Sequence, residues 1–163
     1  MLLKENITGA EACYKTEFKY RKCCKYLCFT FKAHHSALDS YSDKYNDELY
    51  RGNVCELFIK YGKENHYYEI EVAPNGATFL ADIENINGNF KGTLIDDCFV
   101  KTNAKVKKNA YMVRILIPKS FIKTKKIEFN AFRIETDGER PEKHLFALNP
   151  TLCNSFHKSE FIK

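Results

Sequence analysis

The sequence predicts an all-β fold: one domain, residues 1–163, forming an antiparallel β-sandwich of jelly-roll or immunoglobulin-like type, with its core from about residue 12 to 161. Three observations predict it. At least seven short segments alternate apolar and polar residues with period two, turn signals separate them, and no segment of useful length shows helical periodicity. Closure of the same strands into a barrel is the alternative. At 163 residues the chain can bury one full core, and is too short for two comfortable ones.

Residues 12–20 are polar with intermittent aromatics (Tyr14, Phe18, Tyr20) and read as an edge strand entering the domain. Residues 25–33 alternate clearly, so Leu27, Phe29, Phe31 and Ala33 should face the core. A long polar connection without helical periodicity, His34 to Asn53, follows; such loops are usually functional or covering elements. From Leu49 to Ile83 three strand patterns form an antiparallel meander. Within it Val54–Tyr61 is dense in β-branched and aromatic residues, and His66–Val72 puts Tyr68, Ile70 and Val72 on one face and Tyr67, Glu69 and Glu71 on the other. Residues 62–65 and Pro74-Asn75-Gly76 supply its turns. Residues 84–92 read as a loop with Asn87-Gly88 as its turn, and a short strand is expected within Leu94–Val106. Tyr111, Val113, Ile115 and Ile117 should point inward from a strand that Pro118 ends, with a helical turn at 119–122. Ile127–Glu135 is the next strand, closed by a turn at Asp137-Gly138, and Leu145–Leu148 is the last apolar run before a polar tail containing Phe156, His157 and Phe161.

Composition excludes several classes. A hydrophobic fraction of 44%, with 13 Phe and 10 Tyr but no Trp, is too high for a disordered chain. The net charge of +5 is spread over single lysines, and the concentration at Lys101, Lys105, Lys107 and Lys108 reads as a solvated loop, so no nucleic-acid partner is expected. The opening MLLKENITGA lacks the apolar run of a signal peptide, and no stretch is long enough to span a bilayer, so no membrane association is expected. As written, the protein is cytoplasmic with reduced thiols; a mature fragment of a secreted precursor would be extracellular. Seven cysteines, an odd number, include Cys24 and Cys28 on a strand without a second ligand pair, and read as ordinary small residues, not a zinc site.

No glycine-rich phosphate loop, nucleophile elbow or metal-ligating histidine pair is present, and adjacent His34 and His35 would point to opposite faces of a strand. Glu56, Glu69 and Glu71 could supply the two carboxyls of a glycosidase, but the sequence shows no such geometry. More informative is that Tyr50, Glu56, Glu69 and Glu71 fall on or beside one face of the meander. A sugar ring offers an apolar face that stacks on an aromatic, and hydroxyls that want carboxylate, amide or guanidinium partners. Arg114 or Arg133 on neighbouring strands would complete the set; the alternative is that Glu56, Arg114 and Arg133 form cross-strand charge pairs on an exposed face.

The segments YRGNVCELFI (50–59) and YYEIEVAPNG (67–76) resemble the central block of family 9 carbohydrate-binding modules and the wider group of sugar-binding DOMON-like domains. RILIP (114–118), NAFRI (130–134), ALNP (147–150) and SFH (155–157) are similar to further segments of that family, in the same order, over roughly residues 25–161. The resemblance implies a β-sandwich that binds an oligo- or polysaccharide on one sheet face or groove without catalysis, of the kind associated with glycoside hydrolases and carbohydrate catabolism. It assigns Tyr50 to the family's aromatic platform and Glu56 to the carboxylate six positions later, with Glu69, Glu71, Arg114, Arg133 and Asn149 in support. The family's opposing tryptophan has no counterpart; Phe156 and His157 are the nearest candidates. No cofactor is implied, and structural calcium, which some members hold, has no acidic loop specific enough to nominate ligands. Two rivals follow: a structural or partner-binding sandwich that has lost the sugar site, and a haem-binding domain using Met112 with a histidine.

Overall fold

The computed structural model describes residues 1–35, 38–136 and 143–163. Among these residues eleven strands run β1 (Lys4–Glu5), β2 (Thr16–Lys22), β3 (Tyr26–His34), β4 (Val54–Ile59), β5 (His66–Val72), β6 (Thr78–Ile86), β7 (Asn89–Leu94), β8 (Lys101–Lys107), β9 (Ala110–Pro118), β10 (Phe129–Thr136) and β11 (Lys143–Ala147). They form two antiparallel sheets, one of seven strands in the order β1-β11-β10-β4-β5-β6-β7 and one of four in the order β2-β3-β9-β8. The fold is the expected single-domain sandwich. The Asp137-Gly138 turn lies outside the described residues.

Alternation dictates the packing. Leu27, Phe29, Phe31 and Ala33 of β3, with Tyr111, Val113, Ile115 and Ile117 of β9, are all buried against Cys55, Leu57, Ile59, Ile70 and Val72 of the larger sheet. Phe18, Phe29 and Phe129 meet at ring-centroid distances of 5.3–6.3 Å. Truncating such a ring to alanine typically costs about 3–5 kcal/mol, because the cavity does not collapse. Strand β2 is the edge strand of its sheet, as expected, pairing with β3 and bridged on its other side by Leu2, and Pro118 ends β9 ahead of a 3-10 turn at Lys119–Phe121.

Three features differ from the sequence expectation. Residues 84–92 are not a loop. Strand β6 runs to Ile86 and β7 starts at Asn89, with Asn87 and Gly88 at φ of 54° and 87° making a two-residue hairpin turn. Because β7 is an edge strand exposed at every position, nothing forced its sequence to alternate. Lys101, Lys105 and Lys107 likewise sit on a strand, β8, and not in a solvated loop. At the N-terminus, β1 pairs with β11 and Leu3 is buried, so the core extends below residue 12. All seven cysteines are free.

The outer face of the seven-stranded sheet is also largely apolar. Val54, Phe58, Tyr67, Ala81, Ile83, Phe132 and Ile134 are buried there beneath Leu49, Phe156 and Ile162. Folding the connection and the tail over this face makes a second core and leaves a cleft between them.

Candidate functional site

The register of the meander builds the floor of that cleft. Glu56 on β4 lies directly across from Glu71 on β5, and Glu69, two residues earlier on β5, shares their face. Like charges placed opposite one another destabilise a sheet, and these are not diluted by solvent. Glu56, Glu69 and Glu71 are only 2%, 7% and 3% exposed, and one oxygen of each lies within 4.8 Å of the others. Among the described residues Glu56 Oε1 and Glu71 Oε2 have no hydrogen-bond partner. Burial, then the charges of Glu71 and Glu69, hold the Glu56 carboxyl well above the usual range. Burial, then Glu69, does the same to Glu71, and burial lifts Glu69 to about 7.

One wall is the 3-10 turn Leu49–Arg51. Buried Leu49 anchors it, which leaves Tyr50 42% exposed with its hydroxyl donating to Glu48 Oε1 at 3.0 Å. The Lys143 amine donates to the Tyr50 carbonyl at 2.8 Å and stands 5.2 Å from the ring centroid. Gly52 lets this turn close against the preceding connection: a Cβ there would lie 2.7 Å from the Asp39 carbonyl oxygen and 2.8 Å from the Tyr41 amide. Asn53 then exchanges two hydrogen bonds with Asp39, at 2.7 and 3.0 Å.

The opposite wall comes from the tail. Phe156 stacks on Phe132 with centroids 4.3 Å apart. The His157 ring stacks on Phe90 at 3.7 Å, its Nδ1 is 2.8 Å from the Tyr67 hydroxyl, and its Nε2 is 3.9 Å from Glu69. Burial lowers the His157 pKa to about 4, so the ring is neutral at physiological pH. Phe90 is 50% exposed and presents the free edge of this stack. The walls and floor enclose a cleft of about 440 Å³, completed by Ile134, Leu145, Asn154 and Ser155.

Six of the residues singled out from sequence, Tyr50, Glu56, Glu69, Glu71, Phe156 and His157, therefore line one cleft. Three do not. Arg133 alternates with Phe132 and Ile134 on β10, so it points between the sheets, fully buried. There it donates to Thr16 Oγ1 at 2.9 Å and the His34 carbonyl at 2.6 Å, and pairs with Glu135. Arg114 is on the four-stranded sheet, opposite Thr30 and Asn103. Asn149 ties the tail down, its amide donating to Asn130 Oδ1 at 3.0 Å. The cross-strand pairing of Glu56 with Arg114 and Arg133 is accordingly absent: the three residues lie on three different faces. Phe90 was missed because its segment reads as a loop; the Asn87-Gly88 dipeptide, a hairpin signal, could have placed it on a strand.

Elsewhere, a hollow of about 470 Å³ beyond Tyr67 is lined by Lys60, Lys63, Glu64, His66 and Glu160; Lys60 there lies 3.3 Å from Glu128 and His66 2.9 Å from Asp82. Beside Met112 the free volume is about 60 Å³, too small for a haem. The three clustered carboxylates are the hard oxygen donors that a divalent cation such as calcium takes, provided they are ionised.

No protein-family model matches this sequence, and no curated protein sequence does. Solved structures do match. A Bacteroides uniformis protein provisionally described as carbohydrate-binding superposes with a TM-score of 0.77 at 13% identity, over 98% of this chain and 81% of that one. A family 9 carbohydrate-binding module from Caldicellulosiruptor kristjanssonii, solved with cellotriose, gives 0.62 at 15% identity, over 91% and 74%. A glucose complex of a family 9 module from the same organism gives 0.59 at 16% identity, over 93% and 75%. The fold of this chain is that of the family 9 carbohydrate-binding modules.

Proposed function

We propose that this chain is a non-catalytic carbohydrate-binding module that holds a sugar in the cleft between Tyr50 and the Phe90–His157 stack, in the service of polysaccharide catabolism. One observation carries the reading: buried carboxyl oxygens on Glu56 and Glu71 without partners among the described residues, at the floor of an open cleft with exposed aromatic rings on both sides. Sugar hydroxyls would supply the missing partners, each hydrogen bond contributing about 0.5–1.5 kcal/mol to a neutral carboxyl and about 1.5–3 kcal/mol once it ionises. Tyr50 and Phe90 would take the apolar ring faces. Among the structural neighbours, family 9 modules solved with cellotriose and glucose support a gluco-configured ligand.

Two points favour binding over hydrolysis. A glycosidase needs carboxyls flanking the scissile bond in opposite protonation states. Here the three lie side by side on one floor, and burial raises all of them. The rival reading, a sandwich that has lost its site, expects a groove filled by its own side chains; this cleft is open. Calorimetric titration with glucose, cello- and xylo-oligosaccharides tests the proposal. No binding, or binding that survives Tyr50→Ala combined with Glu56→Ala, sinks it, and release of reducing sugar from polysaccharide would overturn the non-catalytic part.

A further inference from the structure

The register of the four-stranded sheet sorts its side chains into two sets. One set fills the core. The other faces away from the sandwich and includes Lys19 and Arg21 on β2, Lys32 on β3, Arg114 on β9, and Lys101, Lys105 and Lys107 on β8. All seven are exposed. Against them the outward positions of these strands hold one carboxylate, Glu17, which sits 3.6 Å from both Lys15 and Lys32. The face therefore holds an excess of six positive charges, whereas the whole chain totals +5, so the rest of the molecule is close to neutral. Lysines on edge strands are a usual guard against sheet-to-sheet aggregation. That accounts for β2 and β8 but not for Lys32 and Arg114, which stand on the two interior strands.

Strands about 4.8 Å apart, with like-facing residues about 6.8 Å apart along each, set these cations on a flat lattice roughly 15 Å wide. Such an array matches a flexible chain bearing a regularly repeated negative charge. We propose that the outer face of the four-stranded sheet is a second binding surface, for an acidic polysaccharide bearing uronate or sulfate groups, separate from the cleft on the far side of the sandwich. Nucleic acid fits less well, because single strands need exposed rings on which bases stack. Tyr26, the outward aromatic of these strands, is half-buried with the Lys101 amine 5.4 Å from its centroid. An anionic bilayer fits less well too, since the exposed outward residues include no large apolar side chain to enter it.

The test is titration of polygalacturonate, and of a neutral glucan of similar length, against the intact chain at low and moderate salt. Polygalacturonate should bind, and weaken about 10- to 50-fold when salt rises from about 50 to 200 mM, as expected for a handful of released counterions; the neutral glucan should show no such dependence. Replacing Lys32, Lys105 and Arg114 together by glutamine should weaken polygalacturonate at least tenfold with the melting temperature retained. Replacing Lys44, Lys63 and Lys91 by glutamine removes the same charge elsewhere and should leave it bound. Equal loss in both triple variants, or no binding at low salt, overturns the proposal. So does tighter binding of poly(dT) or phosphatidylserine vesicles through the same residues. Tyr50→Ala should keep polygalacturonate bound; loss there would put the acidic glycan in the cleft and overturn a separate surface, whatever becomes of the sugar reading.

Discussion

Glu69→Gln should make the protein more stable at alkaline pH. In the folded chain burial lifts the Glu69 carboxyl from its ordinary 4.5 to about 7. Between those values the unfolded chain releases the proton and the folded chain keeps it, so stability falls as pH rises through this window; it is fully present below 4.5 and lost above 7. Two and a half pH units at about 1.4 kcal/mol each amount to about 3.5 kcal/mol, an upper figure that the residue's 7% exposure trims to about 3 kcal/mol. Glutamine has nearly the same shape and never ionises. The variant should match the parent at pH 4 and exceed it by up to about 3 kcal/mol at pH 8, a urea midpoint shift of roughly 1–2 M for a domain of this size. Urea unfolding at intervals from pH 4 to 9 measures this. A difference that does not change with pH, or a variant weaker than the parent at pH 8, would show that Glu69 is solvated and the reasoning wrong.

Sugar affinity should rise with pH through about 7, because hydroxyl donors favour the ionised carboxylate; calorimetry at pH 5 and 8 compares the two states. Tyr50→Ala and Phe90→Ala should each weaken sugar binding by about tenfold, the scale of one aromatic contact of about 1.5 kcal/mol, with unfolding midpoints unchanged because both rings are exposed. Arg133→Met should lower stability by about 3–5 kcal/mol by stranding the Glu135 charge in the core, yet leave sugar affinity intact, and adding Glu135→Gln should recover part of the loss. Gly52→Ala should lower both the melting temperature and the sugar affinity, since its methyl group meets backbone atoms of Asp39 and Tyr41 that hold the Tyr50 turn in place.

Where one side of a strand is buried, the sequence showed it. Phe29 and Phe31 alternate with Thr30 and Lys32 because their strand covers a single core, and the same rule put Glu69 and Glu71 opposite Ile70. It could not show that Glu56, Glu69 and Glu71 would be buried, because the cover over their face comes from Leu49 and Phe156, residues outside the three strands β4, β5 and β6. Alternation also failed on β10, where every residue from Phe129 to Thr136 is buried, so neither parity nor polarity tells the inward Arg133 from a cleft residue. Strand β7 failed for the opposite reason, being exposed throughout.

The hairpin joining β6 and β7 has a consequence for how this cleft could diversify. Its two-residue turn pairs Asn85 with Phe90, and that pairing alone puts the phenylalanine against His157. Side chains alternate strictly along a strand, so one residue inserted into or deleted from the turn would exchange Phe90 for Asn89 or Lys91 at the wall, and would also put a side chain where Gly92 now faces Ile83. A hydrophobic platform would become an amide or a cation in one step. The chemistry of this cleft wall is thus adjustable by loop length, with the carboxylate floor left as it is.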